Sequence, residues 1–347
     1  MDDRLDFIVY VENFQPFRKA DEEAIQECLD RSRNVVVVCT GADKPRSLRN
    51  PWTIDERRDL IRSVFPDSEK TISVIPMLDS PYNQEAWIWS LQKKVRDVVR
   101  ASTSSEREPK VGIAIADEET KINYATAFPQ WEQVPLDHNS ELKASTLREM
   151  TFDSDKGIEA ILPHLSSKSL KFYESFQKSE QFEKLREERK FLDLYKSGWK
   201  NAPYAPIFIT TDAVVIQSGH ILIVKRKANP GKDLLALPGG FLYQDETILE
   251  GCLRELRTET RLKVPEPVLR GSIKAKKVYD DPNRSLRGRT ITHVFYFELT
   301  QDANLPKVKG GDDAKKAFWL PLSQLDSSQL FEDHFSIIQD ILGMQMT

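Results

Sequence analysis

Short runs of β-branched and other apolar residues alternate with charged amphipathic stretches through the first half of this chain. The apolar runs are Asp6–Tyr10, Asn34–Thr40, Ile72–Leu78 and Val111–Ala116. The amphipathic stretches between them include Glu22–Arg31, Glu56–Val64 and Ala86–Val99. Strands that alternate with helices along a chain usually pair in parallel, with helices covering both faces of the sheet. The pattern therefore predicts an α/β domain.

The second half has a different texture, in which strands surround one well-marked helix. Ile207–Gln217 and His220–Lys225 read as two strands of a hairpin joined at Ser218–Gly219. A helix is predicted at Asp245–Arg261, where Asp245 would be the N-cap. Further strands are predicted at Val268–Lys277 and Thr290–Leu299. This arrangement is typical of an α+β domain with a mixed sheet.

A change of composition marks the boundary between the halves. Ser169–Lys200 is dominated by Glu, Lys, Phe and Leu, with aromatic residues at helical spacings. Asn201–Pro206 contains two prolines, which end a helix and restrict the residue before each of them. We therefore predict a first domain at residues 1–168, a helical connector at 169–202 and a second domain at 203–347.

Charge and composition exclude several classes of function. The 347 residues include 50 Lys and Arg against 54 Asp and Glu, a net charge of −4, so nucleic acid and anionic membranes are not expected partners. No apolar run approaches the roughly 18 residues of a membrane span, and the first residues lack the layout of a signal peptide. Three widely spaced cysteines, Cys28, Cys39 and Cys252, suggest a reducing cytoplasm.

Two carboxylates, Glu255 and Glu259, lie four residues apart in the predicted helix and so are neighbours on one face. Such a pair is slightly destabilising by itself, and a solvated helix face is its ordinary explanation. A divalent cation would reverse the sign of the interaction, because Mg²⁺ binds carboxylate oxygens and keeps water and phosphate as its other ligands. The pair is thus a candidate metal site.

The residues around this pair resemble the Nudix box, G-x5-E-x7-R-E-U-x-E-E-x-G-U, where U is a bulky aliphatic residue. The positions that fit are Gly240, Glu246, Arg254, Glu255, Leu256, Glu259 and Leu262. The resemblance implies that Glu255 and Glu259 bind Mg²⁺, or Mn²⁺ as an alternative, and that Glu246 and Arg254 tie the loop to the helix. Thr258 departs from the pattern, which leaves the number of metals open. Arg261 replaces a glycine, from which we expect a different helix exit.

A second resemblance covers nearly the whole chain. Asn13–Phe17, Pro45–Thr53, Ala144–Arg148, Arg284–Thr290 and Lys309–Ala314 resemble the nicotinamide mononucleotide (NMN) adenylyltransferases fused to Nudix domains in bacteria. This family implies a Rossmann-like nucleotidyltransferase domain followed by a Nudix domain, acting in NAD metabolism. Residues that could still hold a nucleotide in the first domain are Arg46, Arg49, Asn50, Trp52, Trp87 and Arg148, and core packing with surface charge is the competing explanation for them.

The first domain departs from that family at its catalytic motifs. The family has an HxGH motif directly after FQPF, whereas this chain has Arg18-Lys-Ala-Asp21. No histidine precedes His138, and a GHxKD-like segment is replaced by Ala116–Thr120. Since positioned charges supply much of the catalysis of nucleotidyl transfer, we expect adenylyl transfer to be lost.

For the second domain, the resemblance implies hydrolysis of ADP-ribose, or a related nucleoside diphosphate derivative, to AMP and ribose 5-phosphate. Candidate substrate-binding residues are Gly239, Gly240, Arg284, Arg287 and Arg289. Guanidinium groups suit phosphate and ribose recognition, although at least one of these arginines is expected to be an exposed surface charge. Asp312 and Asp313 are candidate catalytic residues that would position or deprotonate the attacking water, and an acidic turn is the competing explanation.

Three functions stay open at this point. The first is a Mg²⁺-dependent ADP-ribose pyrophosphatase, and the second is a bifunctional enzyme that also makes NAD from NMN and ATP. The third is a nucleotide sensor that binds its ligand without hydrolysing it. The two departures from the Nudix box, Thr258 and Arg261, are the reason to consider it. The expected partner is a small-molecule nucleotide. The exact substrate and a homodimeric state are left open.

Overall fold

The computed structural model of the chain describes residues 4–68, 70–103, 107–116, 118–137, 142–153, 157–302 and 304–343. The chain divides into two compact units, Met1–Arg186 and Glu187–Thr347. The division falls inside the helix Glu180–Ser197. The three domain bounds drawn from the sequence remain a prediction.

The N-terminal unit is an α/β structure. Its strands are β1 (Leu5–Glu12), β2 (Ser32–Cys39), β3 (Ile72–Pro76), β4 (Val111–Ile115) and β5 (Glu132–Pro135). Its helices are α1 (Lys19–Arg31), α2 (Ile54–Val64), α3 (Gln84–Ser102), α4 (Glu118–Ala127), α5 (Ala144–Asp153) and α6 (Leu170–Gln177). The strands pair in parallel in the order β3-β2-β1-β4-β5.

Both faces of this sheet are buried, which explains the continuous apolar runs in the sequence. Ile8 and Val9 are adjacent on β1 and point to opposite faces, yet each is fully buried. On the face of Val9, the core includes Leu91 and Val95 of α3. The predicted parallel sheet with covering helices is confirmed, and the observed strands agree with the predicted ones to within a few residues.

The C-terminal unit is built on a mixed sheet. Its strands are β6 (Phe208–Gln217), β7 (His220–Arg226), β8 (Leu235–Ala236), β9 (Gly239–Phe241), β10 (Ile273–Tyr279), β11 (Thr290–Glu298) and β12 (Ala314–Pro321). The helices after the division are α8 (Ile248–Thr260), α9 (Glu266–Gly271) and α10 (His334–Leu342), and α7 (Glu180–Ser197) runs across it. The main strand order is β10-β11-β6-β7-β12, with β8 beside β7 and β9 beside β6.

Helix α8 packs on this sheet through the apolar face predicted from its sequence. Cys252, Leu253 and Leu256 are buried against a core that includes Val215 of β6 and Phe297 of β11. Strands β6 and β11 pair in parallel, and the other pairs in the sheet are antiparallel. The predicted α+β architecture with a mixed sheet is confirmed, and α8 lies in contact with β9.

One predicted strand is wrong in its first half. Val268–Lys277 was expected to be extended, but Glu266–Gly271 forms helix α9 and only the residues from Ile273 onward form β10. Pro265 precedes the helix, where its fixed φ favours a helical start. Within the helix, Arg270 pairs with Glu266 at 2.7 Å, an i,i+4 contact that stabilises a helical turn.

The start of α8 also differs from the prediction. The N-cap is Thr247 rather than Asp245. The hydroxyl of Thr247 accepts the N–H of Glu250 at 3.4 Å, while the Glu250 carboxylate accepts the N–H of Thr247 at 2.8 Å. This reciprocal capping box satisfies two donors at once, which a lone aspartate at position 245 cannot do.

Helix α8 ends at a residue in the left-handed conformation, although this position lacks the glycine that usually adopts it. Arg261 has φ 50° and ψ 33°, so the expectation of a different exit is wrong. The neighbouring loop explains why a non-glycine residue is held there. Lys309 donates its N–H to the carbonyl of Thr260 at 2.8 Å, and Gly311 donates to the carbonyl of Glu259 at 3.0 Å. These bonds satisfy carbonyls that a helix end leaves open.

Among the described residues, every helix is too short or too polar to cross a membrane.

Candidate active site

Arg254 holds the loop before α8 against the helix. Its Nε donates to Oε2 of Glu246 at 2.8 Å, and its Nη2 donates to Oε1 of the same carboxylate at 2.6 Å. Nη2 also donates to the carbonyl of Phe241 at 3.0 Å. The guanidinium lies 3.8 Å from the ring centroid of Tyr243. A planar fork on a carboxylate fixes orientation as well as distance, so the loop has one position relative to α8.

Glu255 and Glu259 lie on the side of α8 that lines a cleft, and both are nearly buried. Oε1 of Glu255 accepts a hydrogen bond from Nη1 of Arg254 at 2.6 Å. Oε2 of Glu259 accepts the backbone N–H of Gly239 at 3.0 Å. A Cβ atom on Gly240 would lie 2.5 Å from Oε1 of Glu255, so glycine is what lets β9 approach so closely.

Burial disfavours the charged form of both carboxyl groups. It raises the pKa of Glu259 to about 8, although the N–H of Gly239 acts in the opposite direction. Burial also raises the pKa of Glu255, opposed by Arg254 and reinforced by the nearby Asp312. Crowded carboxyl groups of this kind are stabilised in their charged form by a cation placed between them.

The cleft has a volume of about 360 Å³ and is lined by residues of the C-terminal unit. Six acidic side chains line it, against four basic ones. The acidic residues are Asp212, Glu255, Glu259, Asp312, Asp313 and Glu332, and the basic residues are Arg226, Lys227, Arg284 and Arg287. An acidic excess repels a diphosphate, so a bound anion of that kind needs an additional cation in the cleft.

The oxygen donors of this cleft fit a hard divalent cation. Among the described residues, no three His, Cys, Asp or Glu side chains are arranged as a complete metal site. Mg²⁺ does not need one, since it keeps several waters and takes phosphate oxygens alongside one or two carboxylates. Glu255 and Glu259 are the side chains that would hold the ion.

The three arginines predicted to bind substrate have different surroundings. Arg284 lines the cleft but is buried, and its guanidinium forms a bidentate ion pair with Asp333 at 2.9 and 3.0 Å. Arg287 also lines the cleft and lies 4.9 Å from the ring centroid of Phe241. Arg289 donates to a backbone carbonyl and is not among the described residues that line the cleft. The structure therefore brings two of the three to the cleft.

Asp312 and Asp313 line the cleft. They directly follow Lys309 and Gly311, whose N–H groups bond to the carbonyls at the end of α8. Asp312 has a positive φ of 48°, and the carbonyl of Asp313 accepts the N–H of Lys227 at 3.0 Å. The hydrogen bond from Gly311 to Glu259 ties this loop to the helix that carries the glutamates. The backbone that precedes both carboxylates is thus bonded to the end of α8.

Arg226 and His334 also line the cleft, although neither was predicted from the sequence to be a site residue. Nδ1 of His334 accepts the N–H of Leu237 at 2.9 Å, so the proton of the neutral ring lies on Nε2. Nε2 is 3.9 Å from Oδ1 of Asp212, and burial lowers the pKa of His334. The Arg226 guanidinium lies 3.9 Å from the ring centroid of Phe331. No motif spacing marks either residue, because tertiary packing brings them to the cleft.

In the N-terminal unit, Arg18 and Asp21 occupy the positions of the two histidines expected from the adenylyltransferase resemblance. Arg18 donates from Nη2 to Oδ1 of Asp21 at 2.6 Å and from Nε to Oδ2 at 3.0 Å. Nη2 also reaches Glu12 at 3.3 Å, and the Tyr10 hydroxyl donates to Asp21 at 3.3 Å. The one guanidinium of this cluster is therefore engaged by two carboxylates. Part of the other departing segment, Ala116–Thr120, lies outside the described residues.

The two tryptophans predicted to bind nucleotide in this unit pack against other aromatic rings. Trp52 is 2% exposed, with the rings of Tyr173 and Phe176 at 5.2 and 5.4 Å between centroids. Trp87 packs on the core at 6.3 Å from Phe128. Their contacts are those of core residues.

The polar candidates in this unit form local contacts. Arg46 pairs with Glu56 at 2.8 Å, and the backbone N–H of Asn50 donates to a serine hydroxyl. Arg148 donates to a backbone carbonyl. Burial, together with the charge of the nearby Arg49, lowers its pKa to about 10.

Comparison with known proteins gives a match for each half of the chain. The NUDIX domain model matches residues 207–341. An ADP-ribose pyrophosphatase of Methanocaldococcus jannaschii is 37% identical over 134 residues, which cover 39% of this chain and 72% of that protein. A nicotinamide/nicotinic acid mononucleotide adenylyltransferase of Acinetobacter baylyi is 26% identical over 191 residues, which cover 55% of this chain and 96% of that protein.

A solved structure matches the whole chain. It is the crystal structure of a bifunctional NMN adenylyltransferase/ADP ribose pyrophosphatase from Francisella tularensis, complexed with AMP and a Mn ion. The TM-score is 0.89 at 30% sequence identity, and the match covers 99% of this chain and 100% of the other. A second crystal structure of that protein gives a TM-score of 0.88 with the same identity and coverage.

Proposed function

The chain belongs to the family of bifunctional NMN adenylyltransferase/Nudix hydrolase proteins, and we propose that its C-terminal unit hydrolyses ADP-ribose to AMP and ribose 5-phosphate. A divalent metal is characteristic of the family, and we propose Mg²⁺ as the working ion, with Mn²⁺ as an alternative. The substrate is a small nucleotide of NAD metabolism.

One observation carries this proposal: Glu255 and Glu259 lie together on α8 at a cleft that also contains Arg287. Both carboxylates are held in place, one by the Arg254 guanidinium and the other by the N–H of Gly239. Binding of a diphosphate requires positive charge beside both phosphates. A cleft lined by more acidic than basic side chains does not supply enough of it. The arrangement therefore supports binding of a diphosphate together with a divalent cation.

The residues of the cleft then have distinct roles in hydrolysis. Glu255 and Glu259 would hold a divalent cation, which would supply positive charge to the diphosphate and lower the pKa of a nearby water. Arg287 orients a phosphate through its guanidinium. Asp312 or Asp313 accepts a proton from the water, whose oxygen forms a bond to one phosphorus. The bond from that phosphorus to the bridging oxygen breaks, and the other phosphate leaves with that oxygen.

For the N-terminal unit, we propose that adenylyl transfer is absent. The two imidazoles that would contact ATP phosphates in the family are replaced by Arg18 and Asp21, which pair with each other. The Arg18 guanidinium forms ion pairs with two carboxylates, those of Asp21 and Glu12. The alternative is a bifunctional enzyme that retains NAD synthesis. The 26% identical adenylyltransferase of Acinetobacter baylyi is the observation in its favour.

A sensor that binds nucleotide without hydrolysis is the other alternative. It rests on the two departures from the Nudix box, Thr258 and Arg261. Thr258 is exposed, and its hydroxyl donates to the carbonyl of Arg254 at 3.0 Å, so the substitution leaves Glu255 and Glu259 in place. Arg261 keeps the left-handed exit. These observations favour hydrolysis. Cytoplasmic location and a homodimeric state remain predictions from the sequence.

A product analysis tests the proposal. The full chain is incubated with Mg²⁺ and a panel of ADP-ribose, NADH and dinucleoside polyphosphates, and the products are separated by chromatography. We expect AMP and ribose 5-phosphate from ADP-ribose, with slower cleavage of the others. A parallel sample with NMN and ATP is expected to form no NAD. Ordinary rates of NAD formation would favour the bifunctional alternative, and ADP-ribose binding without products would favour the sensor.

A further inference from the structure

The side chain of His334 takes the place of a backbone carbonyl in the pairing of a short strand. Phe331 donates its N–H to the carbonyl of Leu235 in β8 at 2.8 Å, as a neighbouring strand would, and Leu330 forms an isolated bridge with Leu235. Two residues along β8, the N–H of Leu237 donates to Nδ1 of His334 at 2.9 Å. The imidazole is the acceptor at this point because the chain has already turned into helix α10.

The ring of His334 can accept this hydrogen bond because it is neutral. The residue is 6% exposed, and burial lowers its pKa. A neutral imidazole carries a lone pair on one nitrogen and a proton on the other. Nδ1 accepts from Leu237, and Nε2 faces Oδ1 of Asp212 at 3.9 Å. A buried N–H without an acceptor costs free energy, so His334 satisfies a backbone group that this turn would otherwise leave unpaired.

The segment that carries His334 is anchored by the loop before β11. Arg284 forms its bidentate ion pair with Asp333, the residue before His334, and both side chains are buried. The carboxylate of Glu332 accepts a hydrogen bond from the hydroxyl of Ser285 at 2.8 Å. Two neighbouring acidic residues thus attach this segment to two neighbouring residues of the loop. The buried Arg284, predicted to bind substrate, therefore helps to place His334.

The backbone held by His334 leads directly to a candidate metal ligand. Gly239, two residues after Leu237, donates its N–H to Oε2 of Glu259 at 3.0 Å. Pro238 lies between them, and its carbonyl accepts an N–H of β6 at 2.8 Å. Because proline has a fixed φ and no N–H, the position of Leu237 strongly restricts that of Gly239. A hydrogen bond to His334 is therefore coupled to a hydrogen bond on Glu259.

We propose that His334 is a positioning residue for the metal site, because its imidazole fixes the Leu237 N–H and so sets the N–H of Gly239 against Glu259. The inference rests on the proposed function for the role of Glu259 as a metal ligand. It assigns His334 and Arg284 a task that the Nudix box does not contain. An oxygen that accepts a fixed N–H keeps its carboxylate in one orientation, so loss of that restraint weakens metal binding.

Two variants of the same shape isolate the acceptor on His334. Asparagine and leucine both carry two atoms on Cγ and both lack the rest of the ring, but only asparagine has an oxygen near the position of Nδ1. Mn²⁺ binding is measured on the full chain without substrate, from the electron paramagnetic resonance signal of the free ion. We expect His334→Leu to weaken Mn²⁺ binding by about tenfold, the low end for residues that orient metal ligands. His334→Asn should bind Mn²⁺ as the wild type does.

A third variant and a second measurement guard against a His334→Leu protein that does not fold. Glutamine fills more of the space left by the ring, but its amide lies one bond farther from the backbone, near the position of Nε2. His334→Gln should therefore lose Mn²⁺ affinity as His334→Leu does. Hydrogen exchange in the peptide 235–241 should be faster in these two variants than in the wild type and His334→Asn, since the Leu237 N–H has lost its acceptor.

A role in stability alone would give a different pattern. All three variants would then unfold at lower temperature, while the folded protein would bind Mn²⁺ with the affinity of the wild type. That result would overturn the inference. Equal losses of Mn²⁺ affinity in His334→Asn and His334→Leu would overturn it as well, because the acceptor would then make no difference.

The same samples distinguish this inference from the proposed hydrolysis. Glu259→Gln identifies the ion that is measured, and it should bind Mn²⁺ more weakly than the wild type; unchanged binding would contradict both the metal site and the role of His334. Failure of the wild type to release AMP from ADP-ribose, with the expected order of Mn²⁺ affinities, would contradict the hydrolysis alone. Normal AMP release with wild-type Mn²⁺ affinity in His334→Leu would retain the hydrolysis and reject the positioning role.

Discussion

The backbone N–H of Gly239 donates a hydrogen bond to Oε2 of Glu259 at 3.0 Å, and it does so from a strand that is paired with β6. The next residue, Gly240, packs against the carboxylate of Glu255. One short strand therefore contacts both glutamates of α8. The sheet, the helix and the candidate metal ligands are therefore joined by direct contacts.

Adding a methyl group to each glycine should have different effects. A Cβ at position 239 would lie 2.3 Å from the carbonyl oxygen of Thr211, so Gly239→Ala should lower the free energy of unfolding by about 1–3 kcal/mol. A Cβ at position 240 meets the end of the Glu255 side chain, which can move. Gly240→Ala should therefore keep most of the stability but lose activity. Denaturation and ADP-ribose turnover, measured on both variants, check this. Equal effects on turnover and stability in both variants would contradict it.

The fork between Arg254 and Glu246 should matter for turnover more than a surface ion pair does. Lysine cannot make two parallel hydrogen bonds to one carboxylate, so Arg254→Lys releases the loop and one contact of Glu255. We expect turnover of ADP-ribose to fall by about 10–100-fold, as is typical for residues that orient metal ligands. Arg257→Lys is the matched control, because Arg257 pairs with Glu266 on the exposed side of the helix. A similar fall in both variants would argue against a special role for Arg254.

The parts predicted correctly from the sequence depend on local patterns. The continuous apolar run of β1 and the apolar face of α8 reflect burial of side chains, and these elements were found within a few residues. The Nudix box placed Glu255 and Glu259 together because four residues make about one helical turn. The parallel sheet followed from the order of strands and helices alone.

The parts that were wrong or missed depend on contacts between distant residues. Arg261 stays left-handed because Lys309 and Gly311 satisfy the carbonyls at the end of α8. His334 reaches the cleft through its bond to Leu237, 97 residues away in sequence. The two arginines Arg284 and Arg289 looked equivalent as neighbours on a basic segment. Only the fold showed that Arg284 is paired with Asp333.

The Arg18–Asp21 pair should contribute to the stability of the N-terminal unit. Asp21 is 1% exposed, so removing the Arg18 side chain leaves a buried carboxylate without its cation, although the Tyr10 hydroxyl and the backbone N–H of residue 18 still donate to it. We expect Arg18→Ala to lower the free energy of unfolding by about 3–5 kcal/mol. The double variant with Asp21→Ala should lose less than the sum of the two single variants. Lys19→Ala alters an exposed side chain on the same turn and serves as the control. Chemical denaturation of the full chain measures all four, and additive losses would contradict the coupling.

Glu188 should make stability depend on pH. Burial and the charge of Glu332 raise its pKa from the ordinary value of 4.5 to about 7, against the opposing charge of Arg226. The folded protein thus holds a proton that the unfolded chain loses. The stability due to this proton is complete below pH 4.5 and is lost as the pH rises through about 7. Glu188→Gln keeps a hydrogen-bond acceptor for Gly231 and lacks the titration.

We therefore expect Glu188→Gln to be more stable than the wild type at pH 8 by up to roughly 3 kcal/mol, and the advantage to vanish near pH 4.5. Denaturation curves collected across that range measure the difference. Glu187→Gln, at an exposed neighbouring position, is the matched control and should show no such trend. A constant difference between Glu188→Gln and the wild type at every pH would show that Glu188 does not titrate as proposed.

The most direct test of Glu259-dependent hydrolysis compares the wild type and Glu259→Gln for AMP release from ADP-ribose in Mg²⁺. Glutamine keeps the size of the side chain and an acceptor for the N–H of Gly239, and it removes one charge from the candidate metal site. We expect AMP and ribose 5-phosphate from the wild type, loss of turnover by at least about 100-fold in Glu259→Gln, and unchanged folding of the variant. Turnover by Glu259→Gln at the wild-type rate would contradict this expectation.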